Sequence, residues 1–209
     1  MVLTGQASAV VTQLTFEGLQ DQEQILDFYN GGTGSMGSAG PNLGVSFGSS
    51  ALALIDADDG GIGNFANEPS PNTIAFWLGG TSLIMNVSGG FDTGFSFFYT
   101  SSTAATVTVW DGLDATGNLL GSIDLIAQFN DDCVGDPTGT FCNWDPIGVA
   151  FAGTAMSVNF GGTANQTGYD NITFGTDDPR IPSVPEPGTL VLLGVSLFGL
   201  RIASRSRHR

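Results

Sequence analysis

Two stretches decide the fold: Phe95-Ser96-Phe97-Phe98-Tyr99 and, shortly after it, Thr106-Val107-Thr108-Val109-Trp110. Large apolar side chains alternate with small or polar ones, the period of two that a half-buried antiparallel strand needs. Gly112-Leu113-Asp114-Ala115-Thr116-Gly117-Asn118 follows as a hairpin connection into Leu119 to Leu125. Glycine, asparagine and aspartate tolerate the backbone angles that such turns demand.

Working outward, segments of the same kind recur at short spacing. They are Val11 to Phe16, Gly44 to Phe47, Leu52 to Ile55, Thr73 to Leu78, Leu83 to Val87, Gly148 to Phe151, Ala155 to Phe160 and Tyr169 to Phe174. Turn residues separate nearly all of them. Roughly ten short strands in one domain predict an all-β fold, a β-sandwich of jelly-roll type. The composition agrees, since a 41% hydrophobic, 12% charged chain with 31 Gly and 15 Phe has the apolar content to fold and the turns to join strands.

Charge narrows the function. The net charge is -15, there is no lysine, and the five arginines are Arg180, Arg201, Arg205, Arg207 and Arg209. Nothing before Arg180 is basic, so nucleic acid has no cationic surface to meet. An acidic surface of this kind serves solubility or attracts divalent cations, and both readings stand open.

Catalysis is narrowed by absence. The one histidine, His208, lies near the C-terminus, so neither a Ser-His-Asp nor a Cys-His arrangement can form within the strand-rich region. Zinc hydrolases lose their ligands by the same count. What remains is paired-carboxylate chemistry of the glycosidase kind, and nothing in the spacing selects a pair. Cys133 and Cys142 share an Asp- and Gly-rich loop. A disulfide is expected there if the chain is exported; the alternative, two metal-binding thiols, lacks a second cysteine pair and a nearby histidine.

The ends differ from the middle. Met1 to Val11 contains Ala7-Ser8-Ala9, the small-x-small form that signal peptidase accepts, without a basic leader or a full apolar core. Residues 1–11 read as the remnant of a signal peptide or as the approach to a first strand. Residues 12–176 form the expected β-sandwich domain and 177–183 a proline-spaced linker. Residues 184–209 carry Val184-Pro185-Glu186-Pro187-Gly188, an apolar run from Thr189, and the arginine-rich end. The run from Thr189 to Ala203 predicts a short hydrophobic helix of ~22 Å at ~1.5 Å per residue. That is short of the ~20 residues that span a bilayer with ease, although arginines can snorkel to extend it. Arg201 near the end of the run, and Arg205, Arg207 and Arg209 after it, place the C-terminus in the cytoplasm and the domain outside.

This three-part tail resembles the PEP-CTERM sorting signal of bacterial exosortase substrates. The resemblance implies that Pro185, Glu186 and Pro187 are recognised by exosortase, and that the tail anchors the chain transiently in the inner membrane before processing. It also implies an exported cell-surface or extracellular protein, in bacteria that make exopolysaccharide.

A second resemblance runs through residues 14–175. Thr15-Phe16-Glu17-Gly18-Leu19 opens the domain, Val107 to Leu125 forms its middle, and Tyr169-Asp170-Asn171-Ile172-Thr173-Phe174 closes it. The layout is similar to exported jelly-roll domains related to carbohydrate-binding modules. In those folds a structural calcium commonly joins an acidic residue near the first strand to an aspartate on the last. The resemblance implies Glu17 and Asp170 as ligands, with Asp27, Asn30 and Asn171 as contributors; the other reading is that Glu17 and Asp170 are solvated rim residues.

Two further stretches look like sites and fit less well. Asp56 to Asn64 is rich in aspartate, but the twelfth position counted from Asp56 is Asn67 rather than the glutamate of an EF-hand, so it reads as a flexible acidic loop. Phe28 to Gly37 is glycine-rich without the spacing of a phosphate-binding loop. The expectation is therefore a non-enzymatic surface or matrix protein, associated with polysaccharide. The alternatives are a calcium-dependent carbohydrate-binding module, with Trp77, Trp110, Trp144 or Tyr99 stacking on sugar rings, and a carboxylate glycosidase.

Overall fold

The computed structural model describes residues 11–131, 133 and 139–180. It contains β1 (Thr12–Leu14), β2 (Val45–Phe47), β3 (Leu52–Ile55), β4 (Thr73–Phe76), β5 (Leu83–Phe91) and β6 (Gly94–Ser101). The remaining strands are β7 (Ala105–Trp110), β8 (Leu119–Leu125), β9 (Asp145–Ala150), β10 (Ala155–Phe160) and β11 (Thr167–Phe174). One antiparallel sheet runs β3-β4-β11-β6-β9, with β1 also paired to β11; the other runs β2-β5-β10-β7-β8. The chain passes repeatedly from one sheet to the other, as a jelly-roll sandwich requires.

The alternation in β6 and β7 does what the sequence predicts. Phe95, Phe97 and Tyr99 turn into the core from the first sheet, and Val107 and Val109 from the second. Phe160 of β10 bridges them, with its ring centroid 5.7 Å from Phe95, 5.8 Å from Phe97 and 4.7 Å from Tyr169. Each such side chain contributes about 1.5–3 kcal/mol by leaving water.

Every strand overlaps a segment expected from the sequence; β3, β8 and β10 have the expected ends and others are shifted. β9 starts at Asp145 rather than Gly148, because Pro146 lies opposite Phe98 on an edge strand. A proline is tolerated there, where its missing N–H faces away from the ladder, but it breaks the pattern that marks a strand.

Two loops are more than connections. Residues 112–118 form the expected hairpin connection between the antiparallel β7 and β8, and they also fold back as a strap over the outer face of the second sheet. Asn86 Nδ2 donates to Asp114 Oδ1 at 2.7 Å, Asp114 N donates to Asn86 Oδ1 at 2.8 Å, and Ala115 N donates to Ser157 Oγ at 2.9 Å. On the outer face of the first sheet, Leu54, Ile74 and Phe76 pack with Phe65 from the β3–β4 loop and with Phe141 and Trp144 from the approach to β9. The Cys133–Cys142 disulfide, with Cα atoms 5.3 Å apart, closes that approach.

The described residues up to Pro179 form one compact unit. Among the described residues no helix is long and apolar enough to cross a membrane. The expected helix from Thr189 to Ala203, the Pro185-Glu186-Pro187 motif and residues 1–10 lie outside the described residues.

Candidate functional site

The two ends of the sandwich meet at one residue of the β3–β4 loop. After β1 the chain bends sharply, with φ of 63° at Phe16 and 95° at Gly18, and Glu17 stands between them. In β11 a bulge interrupts the pairing with β6 between Asp170 and Thr173, and Asn171 takes φ 48°. Such bulges bend a strand and re-aim its side chains. Ser70 lies between: its Oγ is 2.8 Å from Asp170 Oδ1, 2.9 Å from Asp170 Oδ2, 3.4 Å from Glu17 Oε1 and 3.1 Å from the Thr15 carbonyl.

A serine hydroxyl has one proton, so it donates to one of these oxygens at a time and leaves the rest facing one another. Backbone groups help: Ser70 N donates to Asp170 Oδ2 at 2.7 Å and Asn171 N to Asp170 Oδ1 at 2.6 Å. Asn72 N and Thr73 N donate to Glu17 Oε1 at 3.2 and 3.1 Å. No cation is among these partners.

The electrostatics follow from that. Asp170 is 0% exposed, and burial pushes its carboxyl up to about 7 with the Glu17 charge adding to the rise, although hydrogen bonds from Ser70 and Asn171 oppose it. Tyr29, whose hydroxyl accepts from Phe16 N at 2.7 Å, is raised mainly by burial and further by the charges of Asp170 and Glu17.

A second carboxylate group adjoins the first. Asp56, Asp59 and Glu68 place oxygens within 4.8 Å of one another. Glu68 is raised to about 7 by burial and then by Asp56, Asp59 and Glu17. The acidic segment is folded on itself: Ala57 N donates to Gly63 O and Gly61 N to Asp56 O, at 3.0 and 2.9 Å. Glu68, one position past Asn67, is not singled out by the sequence. The missed signal is the reversal after Asn64 that carries Glu68 back to Asp56.

The residues near Ser70 fit a hard cation. Two carboxylates, a hydroxyl and the Thr15 carbonyl are all-oxygen donors, the kind calcium takes. Asn171 Oδ1, in the same bulge as Asp170, is buried and has no hydrogen-bond partner among the described residues. Asp27 and Asn30 stand apart from this set: both are exposed, and Asn30 Nδ2 donates to Asp27 Oδ1 at 3.1 Å.

The aromatic candidates divide. Trp77 is 0% exposed and stacks on Tyr169, with centroids 6.2 Å apart, and Tyr99 is 3% exposed. Both are core, which corrects the expectation that either could stack on a sugar. Trp110 and Trp144 are half-buried, with indole N–H groups bonded to Thr108 Oγ1 and the Ala66 carbonyl at 2.9 and 3.0 Å.

No curated protein matches the chain. Among solved structures it is similar to the K2 cleaved adhesin domain of Lys-gingipain, at 12% identity over 79% of this chain and 99% of that one, with a TM-score of 0.48. It is also similar to a family 6 carbohydrate-binding module, at 16% identity over 62% and 85% of the two chains and a TM-score of 0.37. A third is the carbohydrate-binding module CBM6cm-2 from Cellvibrio mixtus lichenase 5A, solved with cellotriose, at 12% identity over 60% and 86% and a TM-score of 0.36. Likenesses this loose say nothing of what the chain binds. The tail is different: a family profile described as the PEP-CTERM protein-sorting motif matches residues 183–207, spanning Pro185, Glu186 and Pro187. The chain therefore carries a PEP-CTERM sorting motif, the mark of an exported protein processed by exosortase.

Proposed function

We propose that this is a non-enzymatic surface or matrix protein whose β-sandwich is clamped by one structural calcium ion and associates with polysaccharide outside the cell. The observation that carries the reading is the meeting of Glu17 and the buried Asp170 at Ser70. A buried carboxylate beside a second one is costly without an opposite charge, and a divalent ion supplies it. The ion would be held by Glu17, Asp170, Ser70 and the Thr15 carbonyl, tying β1 to β11 and to the β3–β4 loop.

A non-enzymatic role is supported by access. The raised acid beside a second carboxylate is the pairing glycosidases use. At the Ser70 site the raised acid, Asp170, is 0% exposed, out of a substrate's reach. The acidic surface, with no basic residue before Arg180, favours uncharged polysaccharide over anionic chains. The test is a glycan array probed with the full chain, with calcium and with chelator. Binding to neutral glycans that weakens on chelation supports the reading; no binding in either condition contradicts it.

A further inference from the structure

The small apolar cluster on the outer face of the first sheet contains a cavity. Its volume is about 30 Å³, and its walls are apolar: Leu54, Ile74, Phe76, Phe65 and Phe141. By the ~10–15 Å³ that one water requires, there is room for about two water-sized groups. Gly168 opens it: a side chain there would meet Ile74 Cδ1 at 2.8 Å and Trp144 Cη2 at 3.3 Å.

Polar groups line it as well: Thr167 Oγ1 pairs with Ser101 Oγ at 2.7 Å and Gln166 Oε1 accepts from Ser102 Oγ, which leaves Thr100. Thr100, paired across the sheet with Gly168, lines the cavity and is 1% exposed. Its Oγ1 is buried and has no hydrogen-bond partner among the described residues. An unmade hydrogen bond of this kind costs about 1–3 kcal/mol, so it marks a place where an acceptor is wanted. Asn64 and Asn165, both exposed, carry amides at the mouth.

We propose that this cavity receives the acetyl group of an N-acetylated hexosamine in a neutral surface polysaccharide. The methyl enters between Ile74 and Phe76, the carbonyl oxygen accepts from Thr100 Oγ1, and the amide N–H of the sugar finds the side-chain oxygens of Asn64 and Asn165. The acetyl group presents one apolar end and one accepting end, which match the apolar wall and the unpartnered Thr100 hydroxyl; a bare hydroxymethyl would leave the apolar wall unmatched. An acetylated sugar is uncharged, as the acidic domain requires. The inference rests on the polysaccharide reading above and specifies one subsite of it.

The test is ¹H–¹⁵N NMR of the full chain titrated with chitotriose and, separately, with cellotriose, which lacks the acetyl group. Chitotriose is expected to shift the backbone amides of Thr100, Gly168 and Asn165, and cellotriose to leave them in place. Thr100→Val, which removes the hydroxyl and keeps the shape, should weaken chitotriose binding about tenfold. Gly168→Ala, which fills the cavity, should weaken it at least as much, and each variant's melting temperature shows whether it folds. Equal binding of the two sugars, with Thr100→Val unaffected, overturns the acetyl site while leaving the polysaccharide reading standing. Binding of neither sugar overturns both, and the cavity then holds water only.

Discussion

Glu17, just beyond the first strand, and Asp170, on the last, approach the same Ser70 hydroxyl, at 3.4 Å and 2.8 Å. The first and last strands are thereby joined through like charges rather than opposite ones. Removing either charge, or matching both with a cation, relieves that contact.

Stability should fall as pH rises in the metal-free chain. Asp170 is raised from 3.8 to about 7 by burial, and Glu68 from 4.5 to about 7, so from about pH 4 to pH 7 the folded state holds protons that the unfolded state has lost. Stability present below that window is lost on passing through it. Chelated protein should therefore melt about 5–10 °C higher at pH 5 than at pH 8 by circular dichroism. A midpoint that is flat or rises over the same interval contradicts the raised values.

Glu23 sets the acid limit. Burial raises its carboxyl, but hydrogen bonds from the Ser38 side chain and from the backbone of Gln20, Met36 and Ser38 outweigh this, and the group is lowered from 4.5. A lowered acid stabilises above its unfolded value and loses that contribution as pH falls through the folded one. Glu23→Gln should soften the acid side of the profile and leave the fall between pH 5 and pH 8 intact. A variant with an unchanged acid limb tells against this role.

Phe160 carries ring packing from the second sheet to the first. Phe160 touches Phe95, Phe97 and Tyr169 across the sandwich. Phe160→Ala should cost about 3–5 kcal/mol in urea unfolding, because the facing sheets cannot collapse into the space. A loss under 1 kcal/mol would mean that the ring is not held as described.

The disulfide stabilises a short loop. Cys133 and Cys142 are separated by nine positions, and opening such a ring should cost about 2–3 kcal/mol through the unfolded chain. Reduction, or Cys133→Ser with Cys142→Ser, should lower the melting temperature by several degrees. An unchanged midpoint would show that the bond does not constrain the unfolded chain.

The strands were legible because their pattern is local. Phe95 to Tyr99 and Thr106 to Trp110 announce a buried face by alternation alone, and β9 blurred only where Pro146 broke it. Glu17 and Asp170 were legible through their places near the first and last strands. Ser70 was not, since nothing local distinguishes a loop serine that two distant carboxylates will share. Glu68 was hidden for the same reason, and the burial of Trp77 and Tyr99 depended on which sheet face each strand turned inward. The thin signal for the strap lay in Asp114 and Ala115, whose φ of 55° each allows the fold back onto Asn86.

Calcium titration of the full chain at pH 8, followed by thermal melting of wild type and Asp170→Asn, tests the account most directly. Calcium at about 100 times its dissociation constant should stabilise wild type by about 2.7 kcal/mol, raising its midpoint by several degrees. Asp170→Asn should melt higher than wild type without calcium and gain little from the ion. A wild-type midpoint that calcium leaves unmoved, or a variant that responds as strongly as wild type, would contradict a calcium clamp at Glu17 and Asp170.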